Sequence, residues 1–287
     1  MCRENHNISE KTKSGGRGIM SEENVKHREE SRQDNTNLSY EGYKLVWEEQ
    51  FQGDALNRND WNVELHEPGW VNNELQEYVD SPDNIYIRDG KLVLKPIRKV
   101  NEDGSVSYTC GRVNTQYKHD FQYGLFEARA RVPEGRGFLP AFWMMPTEEY
   151  FYGQWPRCGE IDIMEVLGND TKTSYGTLHF GKPHCESQGS YTLKEGTFSD
   201  SYHLFAVKWK PGKIRWYVDG KLIHTENNWY SATEGEGKKP YPAPFDQPFY
   251  IILNLAVGGN WPGSPDGTTD IENAEFCIDY VKVYQKA

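Results

Sequence analysis

Two Asp-Gly pairs, Asp89-Gly90 and Asp219-Gly220, each followed by Lys-Leu and flanked by short runs of β-branched and aromatic residues, leave this chain little choice of fold class. Asp-Gly tolerates the positive φ angles of a two-residue type I′ turn, so each pair predicts a tight β-hairpin. The flanking runs Ile85–Ile87, Leu92–Leu94 and Ile214–Val218 are of strand length, as are Phe205–Val207, Tyr250–Leu253 and Tyr280–Tyr284 elsewhere. No stretch of this region keeps a helical period, and no internal repeat is visible. With 287 residues, 27 glycines, 15 prolines and 14% aromatic side chains, the chain fits one large all-β domain better than two smaller ones.

Residues Met1 to Tyr40 differ from the rest. They carry seven basic and seven acidic side chains, few apolar ones and no periodicity, which predicts a disordered arm over 1–40 and a folded domain over 41–287. The net charge of −11 then belongs to the domain. That argues against nucleic acid and against a membrane surface as partners. No apolar stretch is long enough for a signal-peptide core or a membrane span.

Chemistry is concentrated in Gly159-Glu-Ile-Asp-Ile-Met-Glu165. In an extended strand Glu160 and Asp162 share one face, whereas Glu165 falls out of phase. A one-residue β-bulge at Ile163–Met164 would return Glu165 to the face of the other two acids, and bulges are favoured where a strand re-aims a side chain at a site. Three adjacent carboxylates repel, which drives their pKa values apart. Glycoside hydrolysis needs such a pair, one carboxylate ionised and one protonated, with a short separation when a covalent intermediate forms. Long glutamate side chains leaning together across about 13 Å of strand, at ~3.3 Å per residue, favour that retaining course. A solvated acidic strand is the bland alternative. It fits poorly with the apolar opposite face and with the Trp155, Pro156 and Gly159 that lead in.

The run Trp155-Pro-Arg-Cys-Gly-Glu-Ile-Asp-Ile-Met-Glu165 resembles the active-site signature of glycoside hydrolase family 16, in the laminarinase form that carries the extra bulge residue. Asn72–Gln76, Gly111–Thr115, Tyr123–Arg129, Pro140–Met144, Leu178-His179, Leu255–Gly263 and Asp279–Tyr284 match further family stretches in the same order. The resemblance spans roughly Leu45 to Gln285. It implies a jelly-roll β-sandwich, concanavalin A-like, with a concave cleft for a β-glucan. Glu160 would be the nucleophile, Glu165 the acid/base, and Asp162 the residue between them that holds their protonation pattern. Trp143, Trp155 and Trp261 would line the cleft as stacking platforms for sugar rings, with His179, Asn72, Asn73 and Arg112 as further substrate-binding residues. Trp47, Trp61, Trp209 and Trp216, in alternating strand patterns, are expected in the structure rather than the cleft.

No cofactor is required by this reading. Family members often hold a structural calcium ion, for which Gly90 and Asp279 are the matching positions; the acidic ligand expected in Trp47-Glu-Glu-Gln-Phe51 is replaced by Gln50, which weakens such a site. Five cysteines without metal-ligand spacing read as free thiols, Cys158 packing beside the site. The expected activity is internal cleavage of β-1,3-glucan, with mixed-linkage β-1,3-1,4-glucan also accepted, by a monomer. A galactan-cleaving relative of the agarase or carrageenase kind and a non-catalytic β-glucan-binding lectin are the alternatives. The polymer substrate implies an extracellular setting, which no visible leader supports.

Overall fold

The computed structural model describes residues 37–233 and 237–287. Two eight-stranded sheets, antiparallel throughout, face each other across one core. In the first, the strands run in the order Lys221–Glu226, Lys213–Val218, His203–Lys210, Gly124–Arg131, Phe276–Lys286, Leu92–Leu94 and Ile85–Ile87, with Tyr43–Glu49 also pairing onto Phe276–Lys286. In the second, the order is Cys185–Thr192, Thr173–Phe180, Glu160–Val166, Phe138–Pro146, Phe249–Val257, Arg112–Asn114 and Asn62–Val63, with Asp120–Phe121 also pairing onto Phe249–Val257. The all-β sandwich matches the expectation, and each of the six short apolar runs lies in a strand. Both Asp-Gly pairs form the predicted turns, with φ of 53° and 66° at Asp89 and Gly90, and 48° and 76° at Asp219 and Gly220.

Burial follows position in the sheet. Phe249–Val257, at the centre of the second sheet, is buried at every residue, because apolar side chains lie on both its faces. Cys185–Thr192, at that sheet's edge, alternates, with one face packed and one open. Trp61, Trp209 and Trp216 are fully buried in the core, and Trp47 packs against it from the edge, in the structure rather than the cleft as expected; Trp61 lies just before the strand Asn62–Val63 rather than in one. Cys110, Cys158 and Cys277 are buried free thiols. Cys185 departs from the free-thiol expectation in being disulfide-bonded, a pairing that sequence spacing did not disclose.

The sheets approach closely at Gly176, where an added Cβ would lie 2.5 Å from the Trp216 ring. That glycine admits the indole, whose Nε1–H crosses the core to donate to the backbone oxygen of Asp162 at 2.7 Å.

Most of the expected arm, residues 1–36, lies outside the described residues. Its last four residues, 37–40, are described and are docked, contrary to the expectation of disorder there. Leu38 donates its N–H to the oxygen of Gly220 at 2.7 Å, Lys208 Nζ donates to the oxygen of Ser39 at 2.9 Å, and the Tyr40 hydroxyl donates to Glu127. Glu127 is buried on the strand Gly124–Arg131. The tyrosine satisfies a carboxylate that burial would otherwise penalise, and nothing in the local composition announces that distant partner.

Candidate active site

The acid strand Glu160–Val166 pairs with Phe138–Pro146 on one side and with Thr173–Phe180 on the other. On the second side Asp162 faces Thr177 and Glu165 faces Tyr175, so one extra residue is accommodated between them; on the first side Trp143 faces Asp162 while Phe142 already faces Met164. This is the expected one-residue bulge at Ile163–Met164. Its effect on side chains is the expected one: Ile161, Ile163 and Met164 enter the core, while Glu160, Asp162 and Glu165 share the opposite face. The Trp216 indole that reaches the Asp162 carbonyl ties down the backbone at the start of the bulge.

Pairing across six strands lays the site out in rows, because residues directly opposite in a sheet project to the same side. One row runs Arg112, Asn254, Ala141, Glu165, Tyr175 and Ser190. The next runs Asn114, Ile252, Trp143, Asp162, Thr177 and Gln188, and a third places Glu160, His179 and Glu186 side by side. His179 therefore lies on the acid face, as its strand pattern suggested.

Two adjoining cavities occupy this face. One, of about 540 Å³, is lined by Trp70, Arg112, Trp143 and Tyr250 among others; the second, of about 450 Å³, by Glu165, His179, His184 and Trp261 among others. Asn72, Trp155 and Glu160 line both, so Glu160 stands where the two meet.

The electrostatics are those of a crowded acid cluster. Burial first, and then the charge of Asp162, push the Glu160 carboxyl up to about 8, against which the Trp155 indole N–H, donating to Glu160 Oε2 at 2.6 Å, acts. Burial and Asp162 also hold Glu165 well above the usual carboxylate range. His179 has its Nε2 3.3 Å from Asp162 Oδ2. Burial alone would lower its pKa, but the Asp162 carboxylate, with Glu160 and Glu165 beyond it, carries it up to about 10. A cation thus sits inside the cluster. His184, whose Nε2 lies 2.9 Å from His179 Nδ1, is lowered by burial and by that neighbouring charge.

The other expected residues divide. Trp155 and Trp261 are 49% and 43% exposed; Trp155 lines both cavities and Trp261 the second. Trp143 is half-buried in its strand, with Nε1–H donating to Asn254 Oδ1 at 2.7 Å, and offers the cleft only part of its ring. Asn72 reaches both cavities, whereas Asn73 is not among their lining residues; its amide donates to Asn260 Oδ1 at 2.8 Å and ties its loop to the one bearing Trp261. Arg112 is 6% exposed and lies beneath the cleft, its Nε donating to Glu64 Oε2 at 2.7 Å and its guanidinium set against the Trp70 and Trp143 rings. Burial would raise the Glu64 carboxyl; Arg112, His66 and Asn114 bring it down to about 2.

Calcium does not fit at Gly90 and Asp279. Arg129 donates to Asp279 Oδ2, and Lys91 Nζ lies 3.7 Å from Oδ1, so the carboxylate already faces two cations. Gln50, standing where the acid was expected, donates its amide to Glu48 at 2.9 Å. A divalent ion there would meet two like charges with one carboxylate to offset them. The expectation of a structural calcium is therefore corrected.

Several cleft residues escaped the sequence reading. Trp70 is 49% exposed and stacks on His66 with centroids 3.5 Å apart. Its Pro68-Gly69-Trp70 setting is the Gly/Pro-rich context that marked Trp261. Glu74 is buried at the edge of the second cavity, accepting from Gln76 Nε2 at 2.7 Å. Its alternation with Gln76 and Tyr78 was a readable signal.

A family model described as glycosyl hydrolases family 16 matches residues 72–282, most of the folded chain and all three acids. The chain belongs to glycosyl hydrolase family 16. Among its relatives in family 16, a glucan endo-1,3-beta-glucosidase of Cryptopygus antarcticus is 39% identical over 261 residues, covering 85% of this chain and 93% of that one. Glucan endo-1,3-beta-glucosidase A1 of Niallia circulans is 38% identical over 270 residues, but they make up only 39% of its length, so this chain corresponds to part of that protein. The X-ray structure of an endo-beta-1,3-glucanase from Pyrococcus furiosus superimposes with a TM-score of 0.73 at 39% identity, over 85% of this chain and 95% of that one. The sandwich is accordingly the jelly roll of family 16.

Proposed function

We propose that this chain is an endo-acting, retaining β-glucanase that hydrolyses internal β-1,3-glucosidic bonds of laminarin-like glucans, accepting mixed β-1,3-1,4-linked chains as well. The observation that carries this reading is the bulged acid strand, which sets Glu160, Asp162 and Glu165 on one face at the meeting point of two cavities. A reaction centre in the middle of a groove, with room on either side, suits a cut inside a polymer. Several relatives bear the name endo-1,3-beta-glucanase or glucan endo-1,3-beta-glucosidase, which supports the substrate class.

Glu160, ionised, attacks the anomeric carbon and displaces the glucan leaving group, whose oxygen takes the proton of Glu165. Glu165, now ionised, removes a proton from water, which attacks the same carbon and releases Glu160. The roles follow the electrostatics. Glu160 has the Trp155 N–H to stabilise its charge, whereas Glu165 is held protonated most strongly by burial and by Asp162. Asp162, with His179 beside it, stays between the two and sets which of them keeps the proton.

An activated aryl β-glucoside with added azide tests the assignment. Glu165→Ala should give the β-glycosyl azide, because the nucleophile and hence the covalent intermediate survive. Glu160→Gly should give the α-azide by direct displacement. Exchange of the two products reverses the roles, and inversion by the wild-type chain ends the retaining mechanism.

Two relatives mark the alternatives, a keratan-sulfate endo-1,4-beta-galactosidase of Sphingobacterium multivorum, 34% identical, and a beta-1,3-glucan-binding protein of Penaeus monodon, 32% identical. A sulfated galactan would need cations in the cleft, and Arg112, which lines it, is committed to Glu64. A pure binder would not need all three acids. Release of reducing sugar from laminarin and lichenan, and none from agarose or carrageenan, separates the three readings.

A further inference from the structure

We infer that His179, His184 and Glu186 form a binding site for a divalent transition metal, with zinc the best fit, and that an ion bound there closes one arm of the cleft. The hairpin made by Thr173–Phe180 and Cys185–Thr192 builds the triad. His179 and Glu186 are directly paired across its strands and so project to the same side, and His184 closes the turn between them. His179 Nδ1 lies 2.9 Å from His184 Nε2 and 3.9 Å from Glu186 Oε2. One ligand atom from each of the three lies within 4.8 Å of the other two. Zinc held at ~2.0–2.2 Å by tetrahedral ligands keeps those atoms about 3.3–3.6 Å apart, so small side-chain rotations convert the observed spacing into coordination.

Three further features point the same way. Two imidazoles and one carboxylate are a donor set that zinc uses when it leaves a fourth position open, and imidazole favours zinc, copper, nickel and cobalt over magnesium or calcium. The remaining nitrogen of His179, Nε2, faces Asp162 Oδ2 at 3.3 Å, and that buried oxygen has no aligned hydrogen bond. A ligating histidine commonly presents its second nitrogen to just such a carboxylate, which fixes the ring and strengthens the ligand. His184 and Glu186 are exposed, so an ion can enter from solvent without unfolding anything.

Glu160, Asp162 and His179 are a second set with the same close spacing, but Asp162 is buried and Glu160 already accepts the Trp155 N–H. The hairpin set is the open one. An ion held there would lie in the cavity that Glu165 and Trp261 also line. It would take the place of a sugar ring while His179 keeps its second nitrogen on Asp162.

Binding can be measured without substrate, so this inference and the hydrolytic reading on which its blocking effect rests can fail separately. Full-length protein freed of metal by chelation is titrated with Zn²⁺ by calorimetry and with Co²⁺ by visible absorption. The expected result is one ion per chain with micromolar affinity, and an intense tetrahedral Co²⁺ band. His184→Ala and Glu186→Ala should each weaken binding at least about tenfold, ~1.4 kcal/mol, whereas Glu160→Gln should leave it unchanged. Laminarin hydrolysis should fall along the same Zn²⁺ titration in the wild-type chain. Absence of saturable binding, affinity indifferent to both hairpin variants, or loss of binding in Glu160→Gln each overturns the assignment.

Discussion

Replacing Glu160 by Gln should make the folded chain more stable near neutral pH and leave it unchanged in acid. The Glu160 carboxyl loses its proton near pH 8 in the folded chain, against 4.5 for an ordinary glutamate, because burial and then Asp162 disfavour its charge. A folded-state pKa above the unfolded one means that the contribution to stability is fully present below about pH 4.5 and is lost as pH rises through about 8. At pH 7 the unfolded chain has released a proton that the folded chain retains. That gap of roughly 2.5 pH units, at ~1.36 kcal/mol per unit, gives an upper bound of about 3.4 kcal/mol. Glu160 is half-buried, and solvent screening should reduce the effect to about 1–2 kcal/mol. Glutamine has nearly the same shape, still accepts the Trp155 N–H through its amide oxygen, and cannot ionise. The variant should therefore melt about 2–8 °C above the wild type at pH 7, for ~2–4 °C per kcal/mol in a domain of this size, and level with it at pH 4. Calorimetric melts at pH 4, 5.5, 7 and 8.5 provide the comparison. An equal offset at all four values would mean that the gain comes from packing, and no gain at pH 7 would remove the strained carboxyl from the account of the site.

Trp155→Phe removes the N–H that favours ionised Glu160, so the acid limb of kcat/KM should move up by about one pH unit, the equivalent of ~1.4 kcal/mol; an unmoved limb in a full pH–rate profile would show that the indole acts only as a platform. Trp261→Ala should raise KM for laminarin while costing less than about 1 kcal/mol in denaturant melts, in contrast to the ~3–5 kcal/mol expected for a core tryptophan, so a loss in the core range would place that side chain wrongly. Tyr40→Phe should cost about 1–3 kcal/mol by leaving buried Glu127 short of a partner; chemical denaturation decides, and a neutral Tyr40→Phe would mean that water replaces the hydroxyl.

What could be read from the chain was what local physics determines. The Asp-Gly turns needed only their own φ angles. The bulge followed from the phase of three acids against a two-residue period, and His179 came with it once the neighbouring strand was placed. What could not be read depended on partners far away in sequence. Arg112 lines the cleft, but the pairing of its guanidinium with Glu64, 48 positions earlier, could not be read from the chain. Asn73 is linked to Asn260, 187 positions on, and so positions a loop. Asp279 appeared free for calcium because its neutralising Arg129 sits on an adjacent strand 150 residues before it. The docking of Asn37–Tyr40 likewise rests on Glu127 and Gly220, which no local pattern connects to it.

The indole of Trp216 holds the Asp162 carbonyl from across the core, through the gap that Gly176 leaves. Surface loops that carry functional groups commonly loosen before the rest of a protein does. Here the spacing of the acids is anchored to the opposite wall of the molecule, so it cannot relax until the walls part. On heating, activity and tertiary structure should therefore disappear in one transition, and amide protons of the acid strand should exchange only through global opening. Any route to a more heat-resistant version of this chain that strengthens the sandwich should thus extend its working range by the same number of degrees.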